Sequence, residues 1–188
     1  MASHPKWFCT ILALFATVIC ANRVDAGSMA RVRSESPLLR TVIASARDYS
    51  ATFRSLLQRI EQSDVIVYLT CHRFDVGAIG GRTALAVAHP GVRYLRVQVA
   101  CQQSEQTLVA IVAHELQHVV EIATNVSVVD EQTFRRLFSA IGFHSCLSPS
   151  RDQFETTAAI ETGGRVYTEY RSQSKMSFAS QRDRRIKR

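Results

Sequence analysis

The stretch from Ser104 to Thr124 contains neither glycine nor proline and is apolar at most positions, which constrains the fold more than any other segment. Nothing in it interrupts a helix, and at about 100° per residue its apolar side chains cover most of the circumference. A helix apolar on nearly every side has to lie inside a domain, with other elements packed around it. Thr107, Ala110, His114, Gln117, His118 and Glu121 share the remaining arc. His114 and His118 stand one turn apart there, a spacing that lets two ring nitrogens converge on one tetrahedral metal ion at about 2.0 Å each. Glu115 falls to one side, among Leu108, Ile111 and Ile122. An ionised carboxylate in that position is costly unless a charge compensates it, and a metal ion with its bound water beside the histidines would do so.

The run His114-Glu115-Leu116-Gln117-His118, with uncharged flanks from Ile111 to Val120, resembles the zincin metallopeptidases, whose defining helix carries His-Glu-x-x-His. The resemblance in motif covers this helix alone. More loosely, the chain beyond its first 26 residues is similar to small exported bacterial proteins with a His-Glu-Leu-Gln-His-x-x-Glu helix, a similarity that names no substrate. The zincin resemblance implies zinc on His114 and His118, Glu115 as general base, and hydrolysis of peptide bonds.

Catalytic zinc takes a third protein ligand and keeps one position open. The metzincin pattern needs Gly and His three and six residues after the second His, where this chain has Glu121 and Thr124. A carboxylate on a later helix, as in the gluzincins, is the remaining expectation. Ser150 and Gln153 make a capping-box spacing for such a helix, expected to run to about Arg171. On it Glu155 shares an arc with Ala158, Ala159, Thr162, Gly163, Val166 and Tyr170, a small-residue face that allows close approach of another helix. Glu155 is therefore the expected third ligand, although it follows His118 by 37 positions, further than in the best-known gluzincins. Glu121 is the main rival; its place one turn beyond His118 suits it better to accept an imidazole N–H. Glu161 falls with Thr157, Gly164 and Thr168 on a solvent-facing arc, and Asp130 and His144 are weaker alternatives. Tyr167, Tyr170 and His144 are candidate donors to an oxyanion.

Residues 1–26 have the form of a signal peptide: His4 and Lys6 precede an apolar stretch from Trp7 to Ala21, and Val24-Asp25-Ala26 offers small residues for cleavage. Periplasmic or extracellular location follows. The remaining 162 residues, 27–188, suit one domain with a single core, placed at 27–171. They hold Cys71, Cys101 and Cys146 without a Cys-x-x-Cys spacing; Cys71 and Cys101 each end a strand-like run and are the preferred pair, with three buried thiols as the alternative. The net charge of +7 is concentrated at the end, where Arg182, Arg184, Arg185, Lys187 and Arg188 follow a Ser- and Gln-rich stretch. That composition reads as a disordered basic tail, 172–188, capable of weak contact with an anionic surface. No aromatic residues interleave the basic ones there, which argues against nucleic acid.

Between these ends Ser36 and Pro37 open a helix whose spacing continues to about Ser63, Val65 to Leu69 reads as a strand, and Thr83 to Ala88 and Val92 to Ala100 read as a hairpin around His89-Pro90-Gly91. Asp130 caps a short helix stopped by Gly142. The expected fold is α+β, a minimal zincin-like domain with a small three-stranded sheet packed against about four helices. The expected function is an exported zinc peptidase acting on a peptide or protein. Two competing accounts are an envelope binding or scaffolding protein whose zinc is not catalytic, and a protein whose basic tail is the working part.

Overall fold

The computed structural model describes residues 30–74, 80–144 and 154–186, with side chains described as far as residue 174. The expected signal peptide, Cys146 and the Ser150/Gln153 spacing lie outside these residues. The fold is α+β. Strands β1 (Val32–Arg33), β2 (Val65–Cys71), β3 (Gly81–His89) and β4 (Val92–Val99) form a sheet in the order β1-β2-β4-β3. The first three strands of that order are parallel, and β3 runs antiparallel along one edge. Pro90 and Gly91 turn β3 into β4, with Gly91 at φ +81°, a conformation only glycine adopts without strain. β1 adds a fourth strand to the three expected; at two residues it is too short to show any periodicity.

The strands read by alternation have one buried face. Val65, Val67, Leu69, Leu95, Val97 and Val99 are fully buried against the helices, while Tyr68 and Arg96 point the other way. The helical layer consists of α1 (Pro37–Tyr49), α2 (Ala51–Glu61), α3 (Glu105–Thr124), α4 (Glu131–Ile141) and α5 (Thr157–Ile186). Helix α3 is held between the sheet and α5, as its all-round apolar character requires, and Ser104 caps it by accepting from Thr107 N. The Cys71–Cys101 disulfide, with Cα atoms 5.4 Å apart, ties the end of β2 to the segment that leads into α3.

The single helix expected from Pro37 to Ser63 is broken at Ser50. Its backbone is extended, and its hydroxyl accepts from Phe53 N, so one residue closes α1 and caps α2. The cause lies in α5: Glu169 receives hydrogen bonds from the Ser50 and Thr52 hydroxyls and from Thr52 N, which holds a carboxylate against the start of α2. The last helix also starts later than expected. Thr156 caps it by accepting from Ala159 N, which leaves Glu155 outside the helix on β6 (Phe154–Glu155), paired with β5 (Phe143–His144). Gly142 permits that pairing, since a Cβ there would lie 2.6 Å from the Glu155 carbonyl oxygen. The stretch expected as a disordered tail continues α5 to Ile186. Beyond Gly164 the chain has no glycine or proline, and its Gln, Lys, Ala and Arg residues favour helix. Among the described residues no helix is long and apolar enough to cross a membrane.

Arg93 fixes the far end of α3. It is 2% exposed, pairs with both oxygens of Asp64 at 2.7 and 2.8 Å, and donates to the carbonyls of Ile122, Ala123 and Asn125. Its charge sits at the negative end of the helix dipole, and its hydrogen bonds hold the Asp64 carboxyl below the usual carboxylate range. Replacing Arg93 by Met removes every one of these donors, and urea unfolding should show a loss of about 3 kcal/mol. Asp64→Asn should cost clearly less, because α3 keeps its cap.

Candidate metal centre

His114 and His118 project from the same face of α3, with ring centroids 4.9 Å apart at 81°. Glu155 reaches them from β6. Its Oε2 lies 2.9 Å from His114 Nε2 and 3.9 Å from His118 Nε2, and one ligand atom from each of the three residues falls within 4.8 Å of the others. Donors placed tetrahedrally around an ion at 2.0–2.1 Å would be roughly 3.3 Å apart, so the observed pair distances straddle what a shared ion needs. Glu155 Oε2 is buried and has no hydrogen-bond partner. The contact with His114 has an ion pair's distance without a hydrogen bond's direction. Two ring nitrogens and a carboxylate oxygen converging on one point are what a cation-binding site offers, and the three residues fit a divalent metal ion.

Helix packing brings the carboxylate in. Ala159, Gly163, Val166 and Tyr170 are buried on α5, and a Cβ on Gly163 would lie 3.1 Å from the Ala110 carbonyl oxygen and 3.3 Å from His114 Cβ. The small-residue face therefore does let α3 and α5 approach closely, although Ala158 is exposed. Glu155 arrives just before the helix rather than on it. Glu161 is exposed, as its phase required.

Glu121 accepts from His118 Nδ1 at 2.9 Å and from the Thr156 hydroxyl at 2.7 Å. The first bond fixes the His118 ring with Nε2 towards Glu155; the second ties α3 to the cap of α5. Burial alone would depress the His118 imidazolium, but Glu121 and Glu155 outweigh it and hold its pKa up at about 9. Glu155 is likewise penalised by burial, yet the two imidazoles bring it down to about 2. With no cation present the site thus favours a proton on His118, and a metal ion would displace it.

Glu115 is 4% exposed, and burial raises its pKa. Two residues of β3 receive it. Thr83 Oγ1 donates to Glu115 Oε2 at 2.7 Å. Gly81 leaves the space, since a Cβ there would lie 2.5 Å from Oε1 and 2.7 Å from Cγ. Sequence reasoning found neither residue, nor Thr156: an isolated Thr or Gly in a strand or loop has no local signature of what it faces. Glu115, His118 and Glu155 line one cavity of about 170 Å³ with Gly81 and Thr83, and Phe134, Phe138 and Phe154 line it too.

Compared with family models, with curated proteins and with solved structures, the chain matches none. The metal centre therefore rests on its own geometry. Of the expected oxyanion donors, Tyr170 is spent elsewhere: its hydroxyl bonds Glu105 and Ser45 at 2.7 and 2.8 Å, and Glu105 is roughly 13 Å along the helix from His114. His144 is exposed, with its ring 4.9 Å from Phe154. Tyr167 is half-buried on α5, and Asp130 is committed to capping α4.

Thr83→Val removes the donor from a buried carboxylate while keeping the side-chain shape. Urea unfolding should register a loss of about 1–3 kcal/mol, with Thr83→Ser close to wild type. In a Glu115→Gln background the same Thr83→Val change should cost less, because the amide does not carry a buried charge.

Proposed function

We propose that the chain is an exported zinc metallopeptidase of zincin type, with His114, His118 and Glu155 as the protein ligands and Glu115 as general base. The supporting observation is a three-donor cluster, two members of which, His118 and Glu155, share a cavity with the buried Glu115 carboxylate that Thr83 holds. Two imidazoles, one carboxylate and an open position suit zinc. The same donor set also serves iron oxygenases, and Glu115 is what favours hydrolysis. An iron oxygenase has no need of a buried carboxylate beside its ligands, whereas addition of water to an amide needs a base within reach. Zinc held at this site supplies a water acidic enough to ionise near neutrality and polarises the scissile carbonyl.

The chain's own residues do the rest. Thr83 holds the Glu115 carboxylate in place through Oε2, and that carboxylate takes the water's proton and returns it to the leaving amine. Glu121 keeps His118 in the tautomer whose Nε2 faces the ion. β3 is the edge strand of the sheet and borders the cavity, so its unpaired backbone groups can hold an extended peptide. The phenyl rings lining the cavity exclude water from the reacting bond. The Cys71–Cys101 disulfide supports an oxidising location.

Glu115→Gln tests the reading. The variant should fold and retain about one zinc per chain while casein hydrolysis falls by about 10² to 10⁴. His118→Ala should instead lose zinc. Undiminished hydrolysis by Glu115→Gln would contradict the mechanism and leave a metal-containing binding protein as the better account.

A further inference from the structure

Among the described residues the helices pack against one face of the four-stranded sheet. On the opposite face the pairing register sets Arg33, Tyr68 and Arg96 side by side on β1, β2 and β4. Tyr94 lies diagonally beside Tyr68, with ring centroids 6.5 Å apart and planes 19° from parallel. Arg82 is one strand beyond Arg96, on β3, and two residues along it. Arg33 and Arg96 are thus roughly 9–10 Å apart at the backbone with a tyrosine between them. Among the described residues none of the four strands carries an Asp or Glu, so no carboxylate within the sheet neutralises this face. Tyr68 is 44% exposed, Arg96 and Arg82 are exposed, and Arg33 lies over the Tyr68 ring at 5.9 Å. Most of this arrangement runs across the strands; along the sequence only Tyr94 and Arg96, two residues apart on β4, display it.

We propose that this face binds an acidic polysaccharide, independently of the metal centre. Guanidinium groups pair with carboxylates in bidentate fashion and are easily desolvated, and tyrosine offers an apolar ring face with a hydrogen-bonding tip, suited to the C–H faces and hydroxyls of a sugar ring. Three arginines in a diagonal line match a linear chain of spaced negative charges better than a single small anion. A lipid bilayer fits less well: the exposed positions of this face carry no Trp, Phe or Leu to enter the interface. Nucleic acid shares the required chemistry, but the Cys71–Cys101 disulfide points to a compartment where glycans, not nucleic acids, are the abundant polyanions. Bound in this way, the protein would be held on a carbohydrate matrix with its cavity, on the helical side of β3, still open.

Binding of the full chain to polygalacturonate, measured by titration calorimetry at low salt with dextran as the uncharged control, tests the proposal. Polygalacturonate should bind and dextran should not. Arg33→Gln/Arg96→Gln should weaken binding about tenfold with an unchanged thermal midpoint, and Tyr68→Leu should weaken it further. Arg184→Gln/Arg185→Gln/Lys187→Gln should leave it intact, since the tail is not the binding surface. Glu115→Gln should also bind normally, which separates this proposal from the peptidase reading. The proposal is overturned if polygalacturonate does not bind, if the double variant binds as wild type, if only the tail variant loses binding, or if single-stranded DNA or phosphatidylglycerol vesicles bind more tightly.

Discussion

Helix α3 is buried on nearly all sides yet carries, besides the exposed Glu105, two histidines and two glutamates, and the surrounding structure answers them. Burying an unanswered charge costs several kcal/mol, so neighbours must supply donors, acceptors or an ion. Thr83 donates to Glu115 from the sheet, Thr156 donates to Glu121 from the cap of α5, and Glu121 in turn fixes His118. Arg93 closes the C-terminal end of the same helix. Among the described residues Glu155 Oε2 is the buried side-chain oxygen left without a hydrogen-bond partner. The buried polar groups around the site are satisfied, and the His114, His118 and Glu155 donors could hold a cation.

That dependence explains which features could be read from the sequence. The extent of α3, α4 with Asp130 and Gly142, and the Pro90-Gly91 hairpin are set by local periodicity and capping chemistry, and each was legible. The break at Ser50 was not, because it depends on Glu169 from a helix more than a hundred residues later. Glu155 was identified by the right partner face but the wrong local structure: α5 approaches α3 through Gly163 as the small residues implied, while Thr156 starts the helix after Glu155 rather than before it. Gly81 and Thr83 were invisible for a related reason. Their meaning comes from the glutamate they face across the sheet–helix interface, and nothing in the strand sequence records it.

The two faces of the sheet divide the molecule's chemistry. On the inner side, valines and leucines bind the helices and β3 meets the metal cavity with its free edge. On the outer side, arginines and tyrosines stand without carboxylates among them. Strand alternation produces this division automatically, since successive residues point to opposite faces. A substitution on one face can therefore leave the side chains of the other face in place, and the reverse.

The central claim is that one ion sits among His114, His118 and Glu155, and anomalous diffraction from a crystal grown with zinc tests it most directly. The account predicts a single strong peak per chain at the zinc edge, within bonding distance of both Nε2 atoms and of a Glu155 oxygen, with Glu115 beside it but not coordinating. A peak ligated by other residues, or none at stoichiometric zinc, would contradict it.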